Sequence, residues 1–372
     1  QHFGGVIGAH RAEGGQLEWS GPARRSEGIF GPMRTMILLT TLSFAIAAAA
    51  QTDGMARREA SARKLLANGK PYRAISLLSG AIGREDRAVF HALRAEAYNS
   101  IGGYDKARAD ARMALAQSPG LQEAVLQLAI SEQGLGLVDS AVIRYRQVLS
   151  TKPGTNTRYR LATALQAKKD PTAALAELDG VLGALPEGDP ALPKVLRSKA
   201  ECLALTGDTV GARTTFTRAL ELAPLDPVTL NSRGWFLYAV NGDHVRAIAD
   251  YAKAIKQNPN YSFAFNNRGW SRYKNGDTQG ALKDINLARS KRPDNPYIYR
   301  NLGIIALDGK DLAAACAHFQ KALDLGFTGL HGDEVERLAK EHCPSLSPPP
   351  PPVAPKDPDP RPAPPSRSNA PE

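Results

Sequence analysis

Residues 231–238 read NSRGWFLY and residues 266–273 read NNRGWSRY. Asn231, Arg233, Gly234, Trp235 and Tyr238 therefore recur as Asn266, Arg268, Gly269, Trp270 and Tyr273, at an offset of 35 residues. A second block follows each of them, AIADYAKAIKQNP ending at Pro259 and ALKDINLARSKRP ending at Pro293. Two helices' worth of sequence is repeated, not one motif. A period of this length marks an array of helical units, in which each unit buries its apolar face only by stacking on its neighbours.

Outward from this pair, the rhythm extends back to about Met55 and on to about residue 325. Each unit reads as a helix, a turn, a second helix and usually a closing proline. The turns centre on Gly69, Gly102 with Gly103, Gly136, Gly207, Gly242, Gly276 and Gly309, and the fourth unit uses Asp170 and Pro171 instead. An alanine then opens the contact face of the second helix: Ala74, Ala107, Ala141, Ala174, Ala212, Ala247, Ala281 and Ala315, which count eight units. A large residue four positions on and a small one three further, such as Tyr251 then Ala254 or Phe319 then Ala322, share one helical face, so ridges and grooves alternate. Pro119, Pro153, Pro186, Pro224, Pro259 and Pro293 stop the helices. Asp226-Pro227 and Asn295-Pro296 restart them with an N-cap and Pro at the first helical position. Two irregularities remain. EGDPALP after Pro186 adds a few residues, as a helical turn or a loop, and the sixth unit carries one surplus residue, expected in its AVNGDH turn.

This pattern resembles the tetratricopeptide repeat family. The likeness is closest in the last three units and covers residues 299–322, YRNLGIIALDGKDLAAACAHFQKA, almost position by position. Arg58 stands at the usual aromatic position of the first unit and Lys199 replaces the usual Leu of the fifth. The resemblance implies an all-α fold, a right-handed α-solenoid of about eight repeats within residues 51–325. Residues 326–343 are expected to form one amphipathic capping helix with Val335, Leu338 and Ala339 on its apolar face. It also implies that first helices line a concave side, with Asn231, Trp235, Tyr238, Asn266, Trp270, Tyr273 and Lys274 at positions facing it. Amides there suit the backbone of an extended peptide, and Trp and Tyr offer apolar contact with a polar edge. Arg233, Arg268 and Arg300 either add charge for an acidic partner or cap the aromatic stack. The competing reading is that these residues belong to the repeat consensus and hold neighbouring helices together.

Three cysteines exclude a disulfide-framework fold. Cys316 and Cys343 are expected to pair between the last repeat and the capping helix, the alternative being two buried thiols, and Cys202 reads as a small core residue. His318, His331 and His342 lack the fixed spacing of a structural zinc site. No enzyme motif and no nucleic-acid motif is present, and the net charge of +10 is spread along the chain. The chain therefore reads as no enzyme, with no cofactor.

Residues 33–50, MRTMILLTTLSFAIAAAA, have the layout of a secretory signal cleaved before Gln51: Arg34, an apolar run, then Ala48 and Ala50. The run is shorter than the roughly 20 residues of a membrane span, so no span is expected after cleavage. Residues 1–32 are expected to be an upstream extension that the native product lacks. From Pro344 to Glu372 the proline content predicts an extended tail, a spacer or a P-x-x-P ligand for another protein. The expected function is an exported, periplasmic or secreted scaffold that holds a protein or peptide partner on the concave face. Self-assembly, or service as an accessory subunit of an envelope enzyme, are the alternatives.

Overall fold

The structure, a computed structural model, describes residues 54–343. The expected extension at 1–32, the signal at 33–50 and the Pro-rich tail at 344–372 lie outside the described residues. Two compact units divide at Arg84. In the first, a helix over residues 54–67 (α1) turns at Gly69, with φ of 65°, into α2 (Pro71–Ile82), and Ala74, Leu78 and Ala81 are buried.

The second unit repeats this hairpin. Its pairs are α3 (Ala88–Ser100) with α4 (Tyr104–Gln117), α5 (Gln122–Gly134) with α6 (Val138–Thr151), and α7 (Thr155–Ala167) with α8 (Pro171–Leu182). Next come α9 (Leu192–Leu205) with α10 (Thr209–Leu222), α11 (Pro227–Arg233) with α12 (His244–Gln257), α13 (Ser262–Lys274) with α14 (Thr278–Lys291), and α15 (Pro296–Asp308) with α16 (Leu312–Asp324). Each helix packs on the next, and first helices also meet, as α3 meets α5 and α13 meets α15. The result is an all-α helical repeat array, a tetratricopeptide-like solenoid.

The eight contact-face alanines are all fully buried. They let paired helices approach closely, and the glycines opposite do the rest. A Cβ at Gly269 would sit 2.6 Å from Ile285 Cγ1, and one at Gly303 would sit 2.5 Å from Phe319 Cε1. The helices before Pro119, Pro153, Pro224, Pro259 and Pro293 end on a residue with φ between −148° and −133°, namely Ser118, Lys152, Ala223, Asn258 and Arg292, whereas α8 before Pro186 ends on Gly183 with φ of −67°. Proline forces that extended geometry on its predecessor, so the stop is steric.

Five details differ from expectation or settle an alternative it left open. The left-handed residue of the eighth hairpin is Lys310, with φ of 62°, and Gly309 has an ordinary φ of −74°. In the fourth hairpin the same role falls to Lys169, with φ of 64°, ahead of the Asp170 cap. Of EGDPALP, residues 187–191 lie in the loop that spans 183–191 and Leu192 and Pro193 open α9, so of the two expected alternatives the loop is the one formed. The surplus residue of the sixth unit is absorbed upstream of its Gly242 turn, where α11 passes into a π-helical turn (Gly234–Tyr238) and a short 3-10 turn (Ala239–Asn241). The capping segment is also two helices, α17 (Phe327–His331) and α18 (Glu334–His342), broken at Gly332 with φ of 95°. Phe327, Val335 and Ala339 are buried against the α15–α16 core, with Leu338 half-buried beside them.

Candidate functional site

A cleft of about 380 Å³ opens on the face built from the first helices of the last three repeats. Asn231, Ser232, Trp235 and Phe236 come from α11 and its π-helical turn, and Phe263, Asn266, Asn267 and Trp270 from α13. Asn295, Tyr297, Arg300 and Asn301 come from the start of α15, and Glu334 from α18. The π-helical turn matters here. A wider turn changes which side chains share a face. Two consecutive aromatic residues, Trp235 and Phe236, both line the cleft, whereas in the regular α13 Trp270 lines it and the following Ser271 is fully buried.

The floor is a run of amides that spans three repeats. Asn267 Nδ2 donates to Asn231 Oδ1 at 3.1 Å, and Asn301 Nδ2 donates to Asn266 Oδ1 at 3.1 Å. Arg300 Nη1 donates to Asn301 Oδ1 at 2.9 Å. The same guanidinium forks onto Glu334, Nε to Oε2 at 3.0 Å and Nη2 to Oε1 at 2.5 Å, which ties the capping helix to the cleft. Its Cζ also lies 4.3 Å from the centre of the Trp270 ring, while Lys274 Nζ lies 5.1 Å from it. Two cations thus lie within cation–π distance of the Trp270 ring. Burial raises the Tyr297 phenol above its usual range, so it stays a neutral donor.

Of the residues expected to form the site, Asn231, Trp235, Asn266, Trp270 and Arg300 line this cleft. Tyr238, Tyr273 and Lys274 do not. Tyr238 packs beside Ala239, Ala247 and Tyr251, and Tyr273 packs against the last core cluster with its hydroxyl on Asp308. The guanidinium forks of Arg233 and Arg268 are occupied within the chain. Arg233 binds Asp250 at 2.7 and 2.8 Å, and Arg268 binds Asp284 at 2.7 and 2.8 Å, so neither is a free cation for an acidic partner. Arg94 makes the same fork onto Asp110 in the second repeat. Arg272 reaches Asp284 too, at 2.8 Å, and the third repeat reverses the charges of that pair with Arg144 on Glu132 at 2.8 Å.

Residues that sequence reasoning passed over are Ser232, Phe236, Phe263, Asn267, Asn295, Tyr297, Asn301 and Glu334. Asn267 and Asn301 repeat at 34 residues and were open to the same reading as their neighbours. Phe236 lies within the π-helical turn, and Glu334 comes from the cap. Cys316 and Cys343 are joined by a disulfide, with Cα atoms 5.6 Å apart. Cys202 is free and buried, and desolvation pushes its thiol up to about 11. Among the described residues, no three of His, Cys, Asp or Glu gather into a group that would hold a metal ion, and no helix is long and apolar enough to cross a membrane.

A second hollow of about 670 Å³ lies on the first-helix face of the earlier repeats, between α3, α5, α7 and α9. Its amides are also engaged within the chain: Asn99 Nδ2 donates to Gln127 Oε1 at 3.0 Å and Gln133 Nε2 to the Thr163 hydroxyl at 3.1 Å. It holds no Trp, and Lys194 stands 4.6 Å over its Tyr159 ring.

Stacked helical hairpins that present one face of aromatic and amide side chains define a repeat-type scaffold rather than a chemical centre. The tetratricopeptide repeat family matches residues 159–227, 207–262 and 266–326, so this stretch is built of tetratricopeptide repeats. Proteins of this class typically mediate protein–protein contacts and are generally non-catalytic. A solved tetratricopeptide repeat protein from Parabacteroides merdae superposes with a TM-score of 0.55 at 16% identity, over 66% of this chain and 95% of that one. The human IFIT1 dimer with PPP-AAAA gives 0.56 at 16% identity, over 75% of this chain and 71% of that one. The Cut9–Hcn1 hetero-tetramer of APC/C gives 0.53 at 12% identity, over 75% of this chain and 54% of that one. At these identities the likeness is one of fold. No curated protein matches the chain in sequence.

Proposed function

We infer that the chain is a non-enzymatic scaffold that captures an extended segment of a protein partner in the cleft between α11, α13 and α15. The observation that carries this reading is the pairing of Trp235 and Trp270 over a floor of asparagines. Aromatic rings supply apolar area at low entropic cost, and amides bind a peptide backbone. The ladder Asn231, Asn267 and Asn266, Asn301 already uses part of that capacity, so packing and binding are served by the same residues. The chain acts after export, with the segment Met33–Ala50 as its signal and the envelope or the exterior as its place of work. Peptides selected from a random display library on the full chain test the capture reading. Trp235→Ala with Trp270→Ala should abolish their binding while helicity is unchanged; retained binding would overturn it. Mass analysis of the exported protein tests the second point, with Gln51 as the expected first residue.

Exposed apolar side chains favour a second reading, self-association. Leu205 and Val210 of the fifth repeat recur as Val240 and Val245 of the sixth, and all four are more than half exposed. Light scattering on the full chain separates the two, since a monomer leaves this patch without a partner copy.

A further inference from the structure

Asn295 is only 7% exposed, and its two polar atoms differ in fate. Oδ1 accepts from the backbone N–H of Tyr297 at 3.1 Å and caps α15, whereas Nδ2 has no hydrogen-bond partner. A buried unpaired donor on a cleft wall is costly unless a ligand completes it. The indole N–H groups of Trp235 and Trp270 likewise donate to no other residue among the described ones. Unused donors therefore stand among the aromatic rings of the cleft. Such a site suits a ligand that offers carbonyls and apolar rings but few N–H groups.

Proline-rich chain in polyproline II geometry is that ligand, because it makes no internal hydrogen bonds, leaves every carbonyl open and has no N–H at proline. Aromatic-lined grooves recognise it in this way. The sequence carries such a segment shortly after Cys343. Past Cys343 it continues PSLSPPPPPVAP, with five prolines at 348–352. Glu334 at the start of α18 lines the cleft, and the end of α18 is pinned by the Cys316–Cys343 bond. The helix carries Cys343 about 14 Å from Glu334 at ~1.5 Å per residue. The four residues Pro344–Ser347, at ~3.4 Å each, cover a similar distance back. The five prolines then run about 15 Å, the scale of the cleft.

We propose that the cleft takes proline-rich segments as its ligand class, and that the chain's own Pro348–Pro352 segment occupies it and must be displaced by a partner. This rests on the capture reading above and names its ligand. A short linker supplies a local concentration in the millimolar range, so a segment whose intrinsic Kd is ~0.1 mM would keep the cleft filled about ten to one.

The test uses the full chain and the peptide SPPPPPVAP, residues 347–355, as probe, read by the fluorescence of Trp235 and Trp270. A variant carrying Pro348→Ser through Pro352→Ser should bind the peptide about tenfold more tightly than the native chain, because the competitor is gone. Adding Trp270→Ala to that variant should remove the binding. Equal affinity for native and variant chains would overturn the internal occupant. No binding of SPPPPPVAP to either chain would overturn the ligand class, even while display-selected peptides still bind through Trp235 and Trp270 and keep the capture reading intact.

Discussion

Asn301 Nδ2 donates to Asn266 Oδ1 at 3.1 Å, and both side chains are more than nine-tenths buried. The bond joins first helices of adjacent repeats, so it is an inter-repeat contact on the floor of the binding face. Replacing Asn301 by Ala leaves the Asn266 carbonyl without this partner and should cost ~1–3 kcal/mol, read in urea unfolding. Loss of ligand affinity without loss of stability would show that the ladder serves binding alone.

Asp284 holds two guanidiniums, Arg268 in a fork and Arg272 at 2.8 Å, while only 2% exposed itself. Asp284→Asn should destabilise by ~3–5 kcal/mol, since a buried pair loses one charge and strands the other. Arg268→Met combined with Asp284→Leu should recover most of that loss. A double-mutant cycle measures the coupling.

His91 lies between Asp86, 2.6 Å from Nε2, and Asp110, 3.1 Å from Nδ1. The Asp110 hydrogen bond raises its pKa above the ordinary 6.5, against the effect of burial. The raised folded-state pKa means the contribution is complete below pH 6.5 and is lost as pH rises through the folded value. Thermal stability should therefore fall as pH rises above about 6.5 in the native chain, and His91→Gln should flatten that slope. Identical slopes would remove His91 from the account.

The Cys316–Cys343 bond closes a separation of 27 residues, which in the chain-entropy view corresponds to ~3–4 kcal/mol. Its loss should act locally. Cys316→Ala with Cys343→Ala should open residues 326–343 to protease before the repeats. The native chain should show no thiol reactive at neutral pH, because burial pushes Cys202 up to about 11, and one thiol after unfolding in denaturant.

The period, the hairpin turns and the buried alanines were legible because they follow from one-dimensional spacing. Pro119 or Pro259 announces a helix stop through sterics that act on a single neighbour. The paired charges were written in the sequence as well. Arg94 and Asp110, Arg233 and Asp250, and Arg268 and Asp284 stand 16 or 17 residues apart, a recurrence that the reading of Arg233 and Arg268 as cations for a partner or caps on the aromatic stack left unused. Lys310 in place of a glycine, the break at Gly332 and the entry of Glu334 into the cleft were not legible. The last two depend on how the last repeat meets the cap, a contact made once on which the repeat period is silent, and Lys310, like Lys169, takes a left-handed conformation that a non-glycine residue does not announce. Asn295 hid for another reason: its carbonyl reads as a helix cap, which says nothing of its free amide.

The π-helical turn at Gly234–Tyr238 is one residue stored inside an otherwise regular hairpin. In evolutionary terms, the two-aromatic wall of the cleft stands a single codon away from an ordinary repeat. Gain or loss of that codon would switch Phe236 into or out of the recognition face while leaving the stack of helices in phase on either side. Specificity in such an array can therefore change by insertion, without passing through an unfolded intermediate sequence.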